Sequence, residues 1–143
     1  SVDMGLQGIK IDVYHLVVIR RWVGFNLSIS TEMFGNSIGK ISHIIASCCP
    51  GSKTFGQHVS VLLSGEKQNQ FFVPRGFAHG FLVLSETATF FYKCDNFYNA
   101  ASEGGIIFND ESLAINWGLP DEKLIISEKD KIQPRLENAK KAW

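Results

Sequence analysis

The sequence has no excess of either charge, few cysteines and no long apolar run, and each shortage rules something out. Fourteen basic residues balance 14 acidic ones, so there is no electrostatic footprint for nucleic acid or an anionic membrane. A few aimed residues can still hold a phosphate group locally. The longest apolar stretches fall well short of the ~20 residues that a membrane-spanning helix needs. No charged segment precedes a hydrophobic run at the N-terminus, so no signal peptide is expected. Of the three cysteines, Cys48 and Cys49 are adjacent and Cys94 stands apart. Neighbours bond to each other only with strain and an odd count leaves a free thiol, so no disulfide framework is expected. A reducing cytoplasm is the expected setting. Cys-x-x-Cys and His-x-His spacings are both missing, and neither a metal nor another cofactor is expected.

What is present is β. A chain of 143 residues makes one domain, able to bury about two-thirds of its unfolded surface. In HVSVLLS, Val59, Val61 and Leu63 alternate with His58, Ser60 and Leu62, the period of a strand. SGEKQN reads as a turn, and QFFVP as a second strand stopped by proline. GFLVLS, TATFFYK and GGIIFND add three more short runs rich in β-branched and aromatic residues. Short strands at even spacing point to a sandwich or small barrel. Nearer the N-terminus, GIKIDVYHLVVI reads as extended, with Ile9, Ile11 and Val13 on one face. A capping residue followed by an acidic one predicts a short helix in STEMFGNSIGK. ISHIIASCCPGSK reads as a strand ending in a Pro-Gly turn. The polar tail SEKDKIQPRLENAKKAW is expected to be helical after Pro134.

One histidine stands out. In FFVPRGFAHGFLVLSETATFFYK, residues 71–93, His79 sits between Ala78 and Gly80 inside the most apolar part of the chain. Such a residue is either a packed core histidine or part of a cavity wall. From Gly51 to about Ala139 the sequence resembles the dTDP-4-dehydrorhamnose 3,5-epimerase family. The matching segments are GSKTFGQHVSVLLS, FFVPRGFAHGFLVLSE, FFYKCDNFY, SEGGIIFND and LIISEKD, in the family's order and near its spacing. The resemblance over residues 1–50 is weaker and the region is shortened. Val23 stands where the family has an arginine, and Ser28 where it has a glutamate. The RGLHxQ segment, a lysine after it and a VFDVAVD-type strand have no recognisable counterpart. The resemblance implies one all-β domain over residues 1–143: a cupin-like jelly roll or β-sandwich with short peripheral helices. It is left incomplete if the missing strand pair is not replaced.

The family reaction inverts two carbons beside a ketone. A base removes a proton next to the carbonyl, the enolate is stabilised, and an acid returns a proton on the opposite face. On the resemblance, Tyr98 matches the proton donor and Asp130 the carboxylate that orients the base. His79 matches a substrate-contacting histidine, and Tyr92 and Lys93 belong to the strand expected to line the cavity. The base itself, the histidine of RGLHxQ, has no match. His43 is the first substitute and His15 the second. Taken without the family, His43 reads as a strand residue facing solvent or an edge, and Asp130, between Lys129 and Lys131, as a solvated charge. Tyr98 reads as a half-buried aromatic, Lys93 as a strand-edge charge, and Asn109-Asp110 as a turn or cap.

Two functions follow. One is an epimerase, a metal-free cytoplasmic homodimer acting on a dTDP-4-keto-6-deoxy sugar. The alternative is an inactive nucleotide-sugar-binding relative or the product of a disrupted gene. A metal-binding cupin ranks last, for want of paired histidines. Unpaired edges left by missing strands predict dimerisation or poor solubility.

Overall fold

The computed structural model describes residues 15–19, 22–27, 32–95, 101 and 104–140, with 15–19, 22–27, 32–34, 36–37 and 90 described by backbone alone. Among the described residues, nine strands follow one another: β1 (His15–Ile19), β2 (Trp22–Leu27), β3 (Glu32–Ile38), β4 (Lys40–Ser47), β5 (His58–Ser64), β6 (Gln70–Val73), β7 (Phe77–Val83), β8 (Ala88–Cys94) and the two-residue β9 (Ile125–Ile126). They form a four-stranded sheet, ordered β1-β8-β3-β6, and a five-stranded sheet, ordered β5-β4-β7-β2-β9. The first eight are also paired from the inside outward, all antiparallel: β4 with β5, β3 with β6, β2 with β7 and β1 with β8. This nesting is that of one long hairpin rolled over on itself, the jelly roll. The eight strands are all there, so the loss of a strand pair that the sequence led us to expect does not occur.

The strands read from alternation, β5 to β8, are found. Three other expectations are corrected. The stretch expected to be helical, 30–40, contains β3, because its neighbours β6 and β8 pair with it along its length. Gly35 suits this position: a Cβ there would lie 2.4 Å from the Phe91 ring, so the neighbouring aromatic closes over bare backbone. GGIIFND is not a strand but a bridge at Gly105 followed by a turn. Its Ile106 is buried beneath the five-stranded sheet, and its backbone joins the tail, Ile107 N–H donating to Pro134 O at 2.9 Å. The tail's α-helix, α1 (Glu128–Lys131), comes before Pro134 rather than after it; beyond the proline, the described residues hold a 3₁₀ turn, Leu136–Asn138. Ile9, Ile11 and Val13 lie outside the described residues.

Two apolar clusters hold the layers. Between the sheets, Ile41, Leu63, Val73, Phe81, Val83 and Ala88 are buried together, with Ile45, Val61, Phe71, Phe77 and Tyr92 packed against them. On the other face of the five-stranded sheet, Ile44, Ala46, Cys48, Ala78 and Leu82 are covered by Ile106, Leu113, Trp117 and Leu136 from the C-terminal segment. Each fully buried aliphatic side chain contributes about 1.5–3 kcal/mol. Strands β4 and β7 supply both clusters, because alternate residues of a pleated strand point to opposite faces.

Candidate functional site

The pleat of β7 sends Ala78 and Leu82 to the outer cluster and Phe77, Phe81 and Val83 to the space between the sheets. His79, two residues before Phe81, shares the inner face. On β4, His43 is paired with Phe81 and Ile45 with His79, so both histidines look into the same space. Their ring centroids are 5.6 Å apart. The edge of Phe71, from the opposite sheet, meets His43 at 5.4 Å. His43 is 2% exposed and His79 8%. His43 is therefore neither solvent-facing nor at an edge, as the plainer sequence reading had it; β4 lies between β5 and β7.

The inter-sheet space is closed at one end and open at the other. Along the inner face of β5, Leu63 is buried, Val61 half-buried and Val59 50% exposed. Val59 is paired with Ile45, the residue opposite His79. His79 thus lies one residue pair nearer the mouth than His43. Electrostatics follow from this depth. Burial, and then the charge of His79 beside it, hold the His43 pKa well below the usual imidazole value. At neutral pH His43 is uncharged and able to accept a proton.

The other expected site residues are dispersed. Tyr92 is half-buried against the inter-sheet cluster, on the same side as the two histidines. Lys93 follows it in β8 and takes the opposite face by the pleat, so the strand does not bring the two together. Tyr98 lies outside the described residues, and of His15 only the backbone is described, paired with Tyr92. Asp130 is buried, not the solvated charge its lysine neighbours suggested. It stands in α1, where the Ser127 hydroxyl donates to its Oδ2 at 2.6 Å and accepts from its N–H at 3.2 Å. Ser127 is thus the N-cap of α1, its hydroxyl accepting from the third helical amide, a cap legible in SEKD, and the Asp130 carboxylate is tied to that hydroxyl. The strand before it, β9, runs parallel to β2. Two strands, β7 and β2, separate β9 from β4. At about 4.8 Å per strand, His43 and the segment bearing Asp130 are not adjacent.

Asp110 had been read as a turn residue, and the structure agrees. Its Oδ1 accepts from Ser112 N–H at 2.8 Å, from Leu113 N–H at 3.2 Å and from the Ser112 hydroxyl. Its Oδ2 reaches across the chain to Leu136 N–H at 2.7 Å. Burial alone raises its pKa, but the bonds from the Ser112 side chain and the three backbone amides outweigh that and hold it below the usual carboxylate value. Among the described residues, no group of three or more His, Cys, Asp or Glu is placed to hold a metal ion. No helix among them is long and apolar enough to cross a membrane.

Comparison with known proteins gives a consistent result. The family pattern described as dTDP-4-dehydrorhamnose 3,5-epimerase matches residues 30–138. The enzyme of that name from Salmonella typhimurium is 42% identical over 106 residues, which make up 72% of this chain and 56% of that one. The one from Escherichia coli is 46% identical over 92 residues, 64% of this chain and 49% of that one. The chain thus spans about half the length of the curated relatives it matches. Among solved structures, the epimerase from Elizabethkingia anophelis superposes with a TM-score of 0.86 at 38% identity, covering 90% of this chain and 74% of the other. A dTDP-6-deoxy-D-glucose-3,5-epimerase from Legionella pneumophila, solved with dTDP-4-keto-L-rhamnose, gives 0.86 at 33% identity, covering 94% and 73%.

Proposed function

The chain belongs to the dTDP-4-dehydrorhamnose 3,5-epimerase family, and from that premise we propose that it binds a dTDP-4-keto-6-deoxy sugar between its two sheets and epimerises C3 and C5 through an enolate. The observation that carries this reading is the pair of histidines on the inner face, His79 toward the mouth and His43 one step deeper. In the proposal the sugar enters past Val59 and Ile45 and contacts His79 and Tyr92. His43 takes the proton from the carbon next to the ketone, leaving an enolate, and Tyr98 returns a proton on the other face. A buried, uncharged imidazole is in the right form to begin. The step uses no metal or cofactor. A homodimer and a cytoplasmic setting belong to the same proposal. Leu62, exposed on the edge strand β5, supports the dimer, since apolar edges are normally covered.

A second reading is favoured by one observation: β7 and β2 lie between His43 and the segment carrying Asp130. A base oriented by Asp130 belongs on β2, whose residues, Trp22–Leu27, include no titratable side chain. On that reading the site binds the nucleotide sugar without enolising it.

Proton exchange separates the two. The chain is incubated with dTDP-4-keto-6-deoxyglucose in deuterated water, and C3 and C5 are followed by NMR. Deuterium above the protein-free control, lost on the order of 10²–10⁴-fold in His43→Asn, supports epimerisation by His43. Binding without exchange, from a folded protein, supports the second reading.

A further inference from the structure

The segment bearing Asp130 is fixed at both ends. Before it, β9 pairs with β2 through Ile125 and Ile126. After it, Pro134 O accepts from Ile107 N–H at 2.9 Å, and Leu136 N–H is held by the Asp110 carboxylate at 2.7 Å. Within the segment, the Gln133 side chain returns to Lys129 O at 3.1 Å. Asp130 is thus carried on a short span whose C-terminal end is tied to the loop at Asp110.

We propose that Asp110 is a positioning residue: its carboxylate clasps Leu136 and thereby holds the 127–136 span, and Asp130 with it, against the five-stranded sheet. This rests on the resemblance, which matches Asp130 to the carboxylate that orients the family's base and so makes it a residue of the nucleotide-sugar site. The two carboxylate oxygens divide the work. Oδ1 organises the turn through Ser112 and Leu113, and Oδ2 alone crosses to the tail. Its four bonds leave the carboxylate ionised and acceptor-only, which is the state that the Leu136 amide requires. Burial of Leu136 in the outer cluster keeps water from replacing the bond, and an unmatched buried amide is costly.

The division of labour defines the test. In Asp110→Asn the side-chain oxygen can still serve the turn, while the amide NH₂ faces the Leu136 N–H, donor against donor. Ser112→Ala is the control that removes a turn bond and leaves the clasp. Hydrogen exchange is read over residues 127–136, and affinity for dTDP-4-keto-6-deoxyglucose by calorimetry. Asp110→Asn is expected to speed exchange across this span about tenfold to a hundredfold, the value of one hydrogen bond to a charged group, with β4, β5 and β7 unchanged. It is also expected to weaken binding to the same degree as Asp130→Asn. Ser112→Ala is expected to do neither. Unchanged exchange in Asp110→Asn overturns the clasp. Faster exchange with wild-type affinity, where Asp130→Asn binds less tightly, overturns the positioning role alone. If Asp130→Asn itself binds as the wild type does, the reading of Asp130 falls and the positioning role with it. Should Asp110→Asn fail to fold, amide exchange in the unmutated chain decides: Leu136 and residues 128–131 opening at one common rate supports the clasp, and unrelated rates overturn it.

Discussion

His43 on β4 and His79 on β7 face the same inter-sheet space with ring centroids 5.6 Å apart and planes tilted by 35°. His43, nearly sealed from water beside a second imidazole, resists protonation, and the consequence is a pH dependence of stability. The His43 pKa is lowered in the folded chain, chiefly by burial and then by His79. The unfolded chain therefore binds this proton first as pH falls below about 6.5. Stability contributed by neutral His43 is complete above that point and declines as pH drops toward the folded-state value. The urea midpoint is expected to be lower at pH 5 than at pH 7.5, and the difference to shrink in His43→Leu. An equal difference in both proteins would assign the effect elsewhere.

Gly39 joins β3 in one sheet to β4 in the other at φ +82. A Cβ there would stand 2.3 Å from Thr87 O and 2.5 Å from Ser85 Oγ. Left-handed backbone costs an L-residue about 1–2 kcal/mol, and overpacking about 1–3 more. Gly39→Ala is expected to lower stability by about 2–5 kcal/mol in thermal or denaturant melts. A loss under 1 kcal/mol would mean that the 85–88 turn gives way easily.

Cys48 is held in its unreactive thiol form. Burial pushes the Cys48 pKa up to about 11, with the Ala78 backbone bond opposing and neighbouring Cys49 adding to the rise. Only the thiolate is nucleophilic. At pH 8 a disulfide reagent is expected to spare Cys48 in the folded protein and to label it in urea; mass spectrometry of the labelled peptide reads this directly.

Arg75 and Asp95 form an ion pair at 2.9 Å, with side chains 59% and 15% exposed. Exposed pairs of this kind contribute about 0.2–1 kcal/mol. Arg75→Ala is expected to shift the melting temperature only slightly, and less still in 0.5 M salt, where screening has already weakened the pair. A large shift at both salt concentrations would give Arg75 a packing role.

Sequence made β5 legible because one of its faces is apolar and the other wet, so alternation shows. It did not reveal that His43 faces inward. Strand β4 is covered on both faces, Ile41 and Ile45 on one and Ile44 and Ala46 on the other, and a strand buried twice carries no alternation to read. Asp130 was hidden differently: Lys129 and Lys131 make its surroundings look solvated, while the residue itself is only 4% exposed. Strand β3 was mistaken for a helix because a local capping signal says nothing of the pairing partners Phe71 and Tyr92, which arrive tens of residues later. His79 was singled out as a candidate only through the resemblance, since a lone histidine among apolar neighbours otherwise reads first as a packed core residue.

The nested pairing of the eight strands also sets an order in time. β4 and β5 are separated by one short connection, residues 48–57, whereas β1 must find β8 across everything between residues 19 and 88. Loop-closure entropy grows with the enclosed length, so the β4–β5 hairpin is the cheapest place to begin. Each outer pair shortens its own search by waiting for the one inside it. Such a chain folds from the middle toward its ends on the millisecond-to-second scale of non-local β topologies, and it comes undone from the ends inward.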